Sequence, residues 1–309
     1  MRANRCGQPR RESSGRVFRG VKGDHERLRN QTFARYPIGT TYRFTPTDLI
    51  AVIVLLSPAK TLDFDAPAGT KTSTLPEFTK QSAKLMKTLR ELSAKDLGEL
   101  MKLSEKLSEL NFDRNRAWKA KHDEKTSKQA VYAFQGDVYQ GLSVDELNAT
   151  EVRRCQKHVR ILSGLYGMLR PLDLMQPYRL EMGTKLKTDS GKDLYAYWGE
   201  TIRDAISAEL RAMKSDLIVN LASNEYSKVA KLKSIEASVI SPVFKDWKNG
   251  QYKLISFFAK RARGMMTRHL VTQKTINLKT IQSFAMDGYK FDKKLSTETE
   301  PVFTRKAKA

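Results

Sequence analysis

The 309-residue chain has little of what builds metal and disulfide chemistry: two cysteines and four histidines. Cys6 and Cys155 are far apart, and His25, His122, His158 and His269 fall at no ligand spacing such as C-x-x-C or H-x3-H. That pattern argues against a disulfide framework, a structural zinc or an iron–sulfur cluster, and no metal or cofactor is expected. So few cysteines suit the cytoplasm. Long apolar runs are lacking too. The longest, residues 49–56, has eight residues, against the ~20 that cross a bilayer, so no membrane span is expected. Acids are scarce relative to bases: 34 Asp+Glu stand against 56 Lys+Arg, a formal +22. That surplus selects polyanions as partners, namely nucleic acid, acidic lipid or phosphorylated ligands.

The basic residues divide at one point. Residues 1–51 carry ten Arg and one Lys against four acids, whereas residues 52–309 carry fourteen Arg, thirty-one Lys and thirty acids, a balance of +15. The first segment has no apolar periodicity and is punctuated by Gly and Pro, so it is expected to be a disordered, Arg-rich extension. An organellar presequence, a basic nucleic-acid-binding tail and read-through upstream of a start near Val52 all fit it. The last is preferred, for a reason given below.

From Val52 on, helical and strand patterns alternate without a repeat, which predicts one α/β domain of mixed α+β character over residues 52–305, its mixed sheet flanked by helices, followed by a basic tail at 306–309. Residues 49–56 and 216–221 read as strands buried on both faces. Two helices are predicted after Pro76, the second opened by a Ser93/Asp96 capping box and continuing through Leu110. Residues 131–134 read as a short strand, 152–162 as a helix and 193–213 as one long helix. Lys248-Asn249-Gly250 is a hairpin signal, because its turn needs positive φ.

Five segments are candidates for chemistry. Ser57-Pro58-Ala59-Lys60-Thr61-Leu62 follows the first buried strand, where open α/β sheets bind ligands. Lys60 and two hydroxyls there suit a phosphate, although no P-loop exists and an ordinary turn is the competing account. Gly164 and Gly167 flank Leu165-Tyr166 in what resembles a helix-hairpin-helix, whose N–H groups accept a phosphate oxygen without reading sequence. Two residues between the glycines rather than one weaken that match, and a packed turn is the alternative. Arg179 and Glu181 share a strand face and with Arg170 suit an anion beside a carboxylate, or else form a structural pair. After the second buried strand, Ser223 caps a helix with Glu225 in its first turn, where the dipole favours it or where an acid/base group would stand. Finally, Lys260, Arg263 and Gly264 share one face of an acid-free basic helix, with Arg268 a turn beyond. Cys155 has cationic neighbours but lies on an apolar stripe, so it reads as a buried, inert thiol rather than a peroxidatic one.

Several blocks together resemble one family. Leu55-Leu56-Ser57-Pro58-Ala59-Lys60-Thr61-Leu62-Asp63, Phe134-Gln135-Gly136-Asp137-Val138-Tyr139, residues 162–180, Lys192-Asp193-Leu194-Tyr195, Asn220-Leu221-Ala222-Ser223 and Ala259-Lys260-Arg261-Ala262-Arg263-Gly264 are similar to the YaaA-like peroxide-stress resistance proteins of bacteria. Members of that family begin at the position of Val52, which is why residues 1–51 are read as a start-site artefact. The resemblance implies a cytosolic protein made under hydrogen peroxide stress, which limits oxidative damage and free iron. It further implies a single α/β fold with a positively charged cleft, a helix-hairpin-helix at residues 152–170 and DNA binding, with no catalytic reaction assured. On that footing Lys60, Arg170, Arg179, Lys260, Arg263 and Arg268, with Gly164 and Gly167, are expected to converge on a groove that grips DNA phosphates without sequence preference. Binding there would weaken steeply with salt. The rival from another class is an enzyme acting on a phosphorylated or nucleotide-like small molecule, with Lys60 and Arg179 as anion clamp and Glu181 or Glu225 as acid/base. A long open basic channel favours DNA; a deep pocket of mixed charge favours the enzyme.

Overall fold

The structure is a computed structural model and describes residues 52–306, so the readings made for 1–51 and for 307–309 lie outside the described residues. The apolar run ending at Leu56 forms β1 (Ile53–Leu56), all four residues buried. It is the middle of a five-stranded sheet with β2 (Val159–Ser163), β3 (Gly167–Leu169), β4 (Leu217–Asn220) and β5 (Ser238–Ile240), in the order β3-β2-β1-β4-β5. β2, β1, β4 and β5 run parallel, with Val54 beside both Val159 and Val219, while β3 returns antiparallel on β2. Strands enclosed by helices on both faces have no polar side, which is why β1 and β4 read as unbroken apolar runs.

Three helices follow β1: α1 (Thr79–Arg90), α2 (Ala94–Met101) and α3 (Glu105–Ala117). The Ser93/Asp96 capping box forms in both directions. The single helix expected from it is broken, because Lys102 takes a left-handed conformation (φ 54°) and ends α2, leaving Leu107 and Leu110 on the surface of α3. Residues 131–134 are mainly a helical turn, Ala130–Ala133, before a two-residue pairing of Phe134–Gln135 with Thr61–Leu62. Next come α4 (Asp137–Leu142) and α5 (Ala149–His158). The long helix expected over 193–213 is split at Gly199 (φ 49°) into Leu194–Trp198 and α6 (Thr201–Ala212). A second sheet holds β6 (Val243–Lys248), β7 (Gln251–Lys253), β8 (Lys290–Phe291) and β9 (Val302–Arg305), with α7 (Ser256–Thr272) between its hairpin and its last strands. Asn249 and Gly250 both take positive φ at the β6–β7 turn, as the hairpin signal required.

The helix-hairpin-helix reading of residues 152–170 is corrected. The helix stops at His158, and Val159, Ile161 and their neighbours leave it to pair with β1, so the element is a helix followed by a β-hairpin. Its turn faces the interior. Gly164 and Gly167 are buried; a Cβ on Gly164 would overlap the Leu180 carbonyl oxygen, and one on Gly167 (φ 68°) would lie 2.8 Å from the Trp198 ring. The Tyr166 N–H is already donated to Ser163 Oγ at 3.0 Å. These amides present nothing to a phosphate.

The same hairpin carries a buried junction. Tyr166 Oη accepts the Trp118 indole N–H at 2.9 Å and the Gln176 backbone N–H at 3.0 Å. Its own hydrogen is then left for His122 Nε2, 2.9 Å away, while His122 Nδ1–H faces the Ala120 carbonyl at 3.0 Å. Imidazolium has no place in that arrangement, and burial holds His122 below its ordinary value of 6.5; burial does the same to His158, whose ring N–H is donated to Val52 O. The unfolded chain therefore binds more protons than the folded one once the pH falls below about 6.5, so stability is complete above that value and declines beneath it. Urea midpoints measured from pH 8 to pH 5 should fall below pH 6.5 in the wild type and fall less steeply in His122→Gln. An equal slope would remove His122 from the account.

Candidate functional site

The chain leaves β1 toward β2 on one side and leaves β4 toward β5 on the other, so the connections part at the β1–β4 seam. Crevices beyond the carboxyl ends of such strands are where open α/β sheets hold ligands. Here the seam is closed by serines: Ser57, just after β1, accepts the Ser223 N–H on Oγ at 2.8 Å, and the two hydroxyls are 3.3 Å apart. The Ser223 N–H is thus committed to the neighbouring strand's Ser57, and the Ser223 side chain does not cap the short helix Asn224–Ser227.

Beyond these serines lies a cavity of about 400 Å³, formed by five segments: 57–61, 135–138, 178–181, 223–226, and the first turns of α7 through Lys260 and Arg263. α7 reaches it because its backbone touches that of α4. A Cβ on Gly264 would overlap the Val138 carbonyl oxygen and stand 2.8 Å from the Leu142 nitrogen, and one on Gly141 would overlap the Arg261 carbonyl oxygen. Both glycines serve close approach, and the contact sets Asp137 and Arg263 on one cavity wall.

Four of the six expected cations meet here: Lys60, Arg179, Lys260 and Arg263. They are not equivalent. Lys60 Nζ and Arg179 Nη2 both grip the Glu181 carboxylate, at 2.7 and 3.0 Å. Lys260 and Arg263 have no carboxylate partner among the described residues, and burial lowers the proton affinity of Arg263. Glu225 faces the cavity from the other side, its Oε1 accepting the Gly183 N–H at 2.8 Å. Tyr178 and Tyr226 complete the wall, and burial raises both phenols far above the ordinary tyrosine value, so they serve as hydroxyls rather than bases.

The other two cations stand elsewhere, which corrects the six-membered groove. Arg170 is committed to Asp173 (3.0 Å) and the Leu75 carbonyl (2.9 Å). Arg268 fastens the end of α4 through the Leu142 and Ser143 carbonyls and pairs with Glu146 at 3.1 Å. Both neutralise local acceptors instead of facing a ligand. Cys155 is 1% exposed and burial pushes its thiol up to about 12, the inert state read for it. Sequence reasoning missed Tyr178, Tyr226 and Asp137. The signal for Asp137 was present in Gln135-Gly136-Asp137-Val138, a block with no helix or strand period of its own.

A mixed α/β protein with a cavity of both charges at its switch point is thereby defined, its closest elements drawn from segments far apart in the chain. Comparison with known sequences agrees in extent: residues 52–295 match the model of the peroxide stress protein YaaA family. The chain belongs to that family, whose role lies in peroxide stress. It is 52% identical to a UPF0246 protein of Janthinobacterium sp. (strain Marseille) over 255 residues, covering 82% of this chain and 99% of that protein. Similar proteins of Shewanella woodyi (51%, 82% and 99%) and Ralstonia nicotianae (50%, 83% and 100%) share the UPF0246 description. Among the described residues, no helix is long and apolar enough to cross a membrane.

Proposed function

We propose that this protein binds a phosphorylated, nucleotide-like small molecule in the cavity beyond β1 and β4 and acts on it, as part of a cytosolic response to hydrogen peroxide. One observation carries the reading: Arg263 is half-buried on the cavity wall and has no acceptor among the described residues. A desolvated cation without a counter-ion is costly, and an anionic ligand is what offsets it. Lys260 adds charge at the mouth, and the Ser57 and Ser223 hydroxyls add neutral hydrogen bonds. Glu181 lies within ion-pair distance of both Lys60 and Arg179, which suits an electrostatic stabiliser or a base, and Glu225 is the second candidate for proton transfer.

The second reading, sequence-independent DNA binding that limits oxidative damage and free iron, has its own support. Beside Lys260, Arg261, Phe257 and Phe258 are exposed on the start of α7, and aromatic side chains interleaved with cations suit nucleic acid. A single experiment separates the two. Thermal melts with nucleoside monophosphates should rise saturably, whereas duplex, branched and single-stranded DNA should bind only weakly and lose affinity with salt. No saturable shift with any nucleotide, alongside tight salt-dependent DNA binding, would reverse the ranking.

A further inference from the structure

The exposed apolar side chains are unevenly placed. Of the eight large hydrophobic residues exposed among the described residues, Trp247 (42%), Leu254 (56%), Phe257 (53%) and Phe258 (38%) fall within residues 247–258, at the β6–β7 hairpin and the first turn of α7. The alternation of β6 explains Trp247: Phe244 and Asp246 are buried, so the next position points outward. The three aromatic residues are joined in space as well as in sequence. Trp247 stands opposite Tyr252 in the hairpin, their ring centres 5.0 Å apart, and those of Phe257 and Phe258 are 5.6 Å apart. Two consecutive residues at the end of β9 bridge the pairs. Arg305 Cζ lies 4.6 Å from the Phe258 ring centre, and Lys306 Nζ lies 4.7 Å from that of Trp247.

This apolar strip is set in charge of one sign. Residues 237–286 hold nine Lys and Arg against one acid, Asp246. That acid is buried and accepts from Arg305 and Tyr289, so it offers nothing at the surface. Lys248, Lys253, Arg261 and Lys306 are exposed and have no carboxylate partner among the described residues. Nucleic acid would need open ring faces on which bases stack. Here a cation covers one face of Trp247 and one of Phe258, and each ring meets its aromatic neighbour steeply, at 74° and 66°. Leu254, the most exposed of the group, has no ring to offer. An anionic bilayer asks for a different set: tryptophan at the boundary of headgroups and chains, leucine and phenylalanine just below it, and lysine or arginine against acidic headgroups. The strip supplies all three.

We propose that the β6–β7 hairpin and the start of α7 dock this protein on an anionic membrane surface. Trp247, Leu254 and Phe257 enter the headgroup boundary, while Lys248, Lys253 and Lys306 hold acidic lipid. The docking face is separate from the function of the cavity and stands or falls without it.

Vesicle sedimentation with tryptophan fluorescence tests it. The chain has three tryptophans, and Trp118 and Trp198 are 3% and 1% exposed, so Trp247 is the one whose emission responds to a membrane surface. The full chain should sediment with vesicles of phosphatidylcholine and phosphatidylglycerol but not with phosphatidylcholine alone, and its emission should move to shorter wavelength as it binds. Trp247→Ser with Leu254→Ser should lower vesicle affinity at least about tenfold, the loss of two half-exposed apolar side chains from the boundary. Leu254→Ser alone, at a side chain already mostly in solvent, should keep the wild-type thermal melt and still lose part of that affinity. No sedimentation with the anionic vesicles overturns the proposal, as does sedimentation without an emission shift or with full affinity in both variants. Vesicles ignored by the wild type, together with single-stranded DNA binding that the double variant loses, would overturn it and assign the strip to nucleic acid.

Discussion

Replacing Gly264 by alanine should remove about 3 kcal/mol or more of folding stability, the upper end of what overpacking costs. The reason is the kind of atom that is struck. The added methyl meets the Val138 carbonyl oxygen and the Leu142 nitrogen, which are backbone groups of α4 and cannot rotate away as a side chain would. Either α7 and α4 separate, opening the core that Met265 and Met266 fill, or the ladder of α4 breaks. Gly141→Ala strikes the same interface from the other side, against the Arg261 carbonyl. The double variant should therefore lose less than the two single losses added together, because the first methyl has already parted the helices. Urea denaturation of the three variants checks this, and a Gly264→Ala protein within 1 kcal/mol of the wild type would mean that the two helices are not in backbone contact. The effect extends to ligand, since Gly136, Asp137 and Val138 line the cavity from the start of α4.

The elements legible in the sequence are those whose local chemistry and tertiary surroundings agree. β1 and the first three residues of β4 are apolar because helices cover both faces, the capping box at Ser93 needs only residues three apart, and the Asn249-Gly250 turn needs only positive φ. Boundaries failed where a distant partner decided them. Val159–Ser163 continues a helical pattern locally, yet β1 offers it a full parallel ladder, and that pairing prevails over propensity. The site divides in the same way. Lys60 and Glu225 were identifiable because each follows a buried strand, Glu181 because it shares a strand face with Arg179, and Lys260 and Arg263 because they lie on an acid-free helix face. Arg170 and Arg268 look identical to them in sequence and differ only in what they meet. For Arg268 that is a pair of carbonyls at Leu142 and Ser143, some 125 residues earlier in the chain. Whether a cation is free or committed is a property of such pairings, and no spacing rule reads it.

Reversing the two uncommitted cations together, Lys260→Glu with Arg263→Glu, should weaken nucleotide binding by about a hundredfold or more, because two charge-assisted contacts are lost at ~1.5 kcal/mol or more each. The new carboxylates would face Glu181 and Glu225 across the cavity, so the site would turn from one that attracts an anion into one that repels it. Arg268→Glu is the informative comparison. It makes the same charge change as either single reversal, a turn or more further along α7, but there it breaks the clamp on the Leu142 and Ser143 carbonyls and repels Glu146. It should lower the melting temperature and leave nucleotide affinity near the wild-type value. A diffuse basic surface predicts the opposite ordering: each reversal would then reduce binding in proportion to charge alone, and Arg268→Glu would match either single variant of the cavity. Calorimetry at two salt concentrations distinguishes the cases, since a set of localised contacts retains the gap between the cavity variants and Arg268→Glu when salt screens the long-range field.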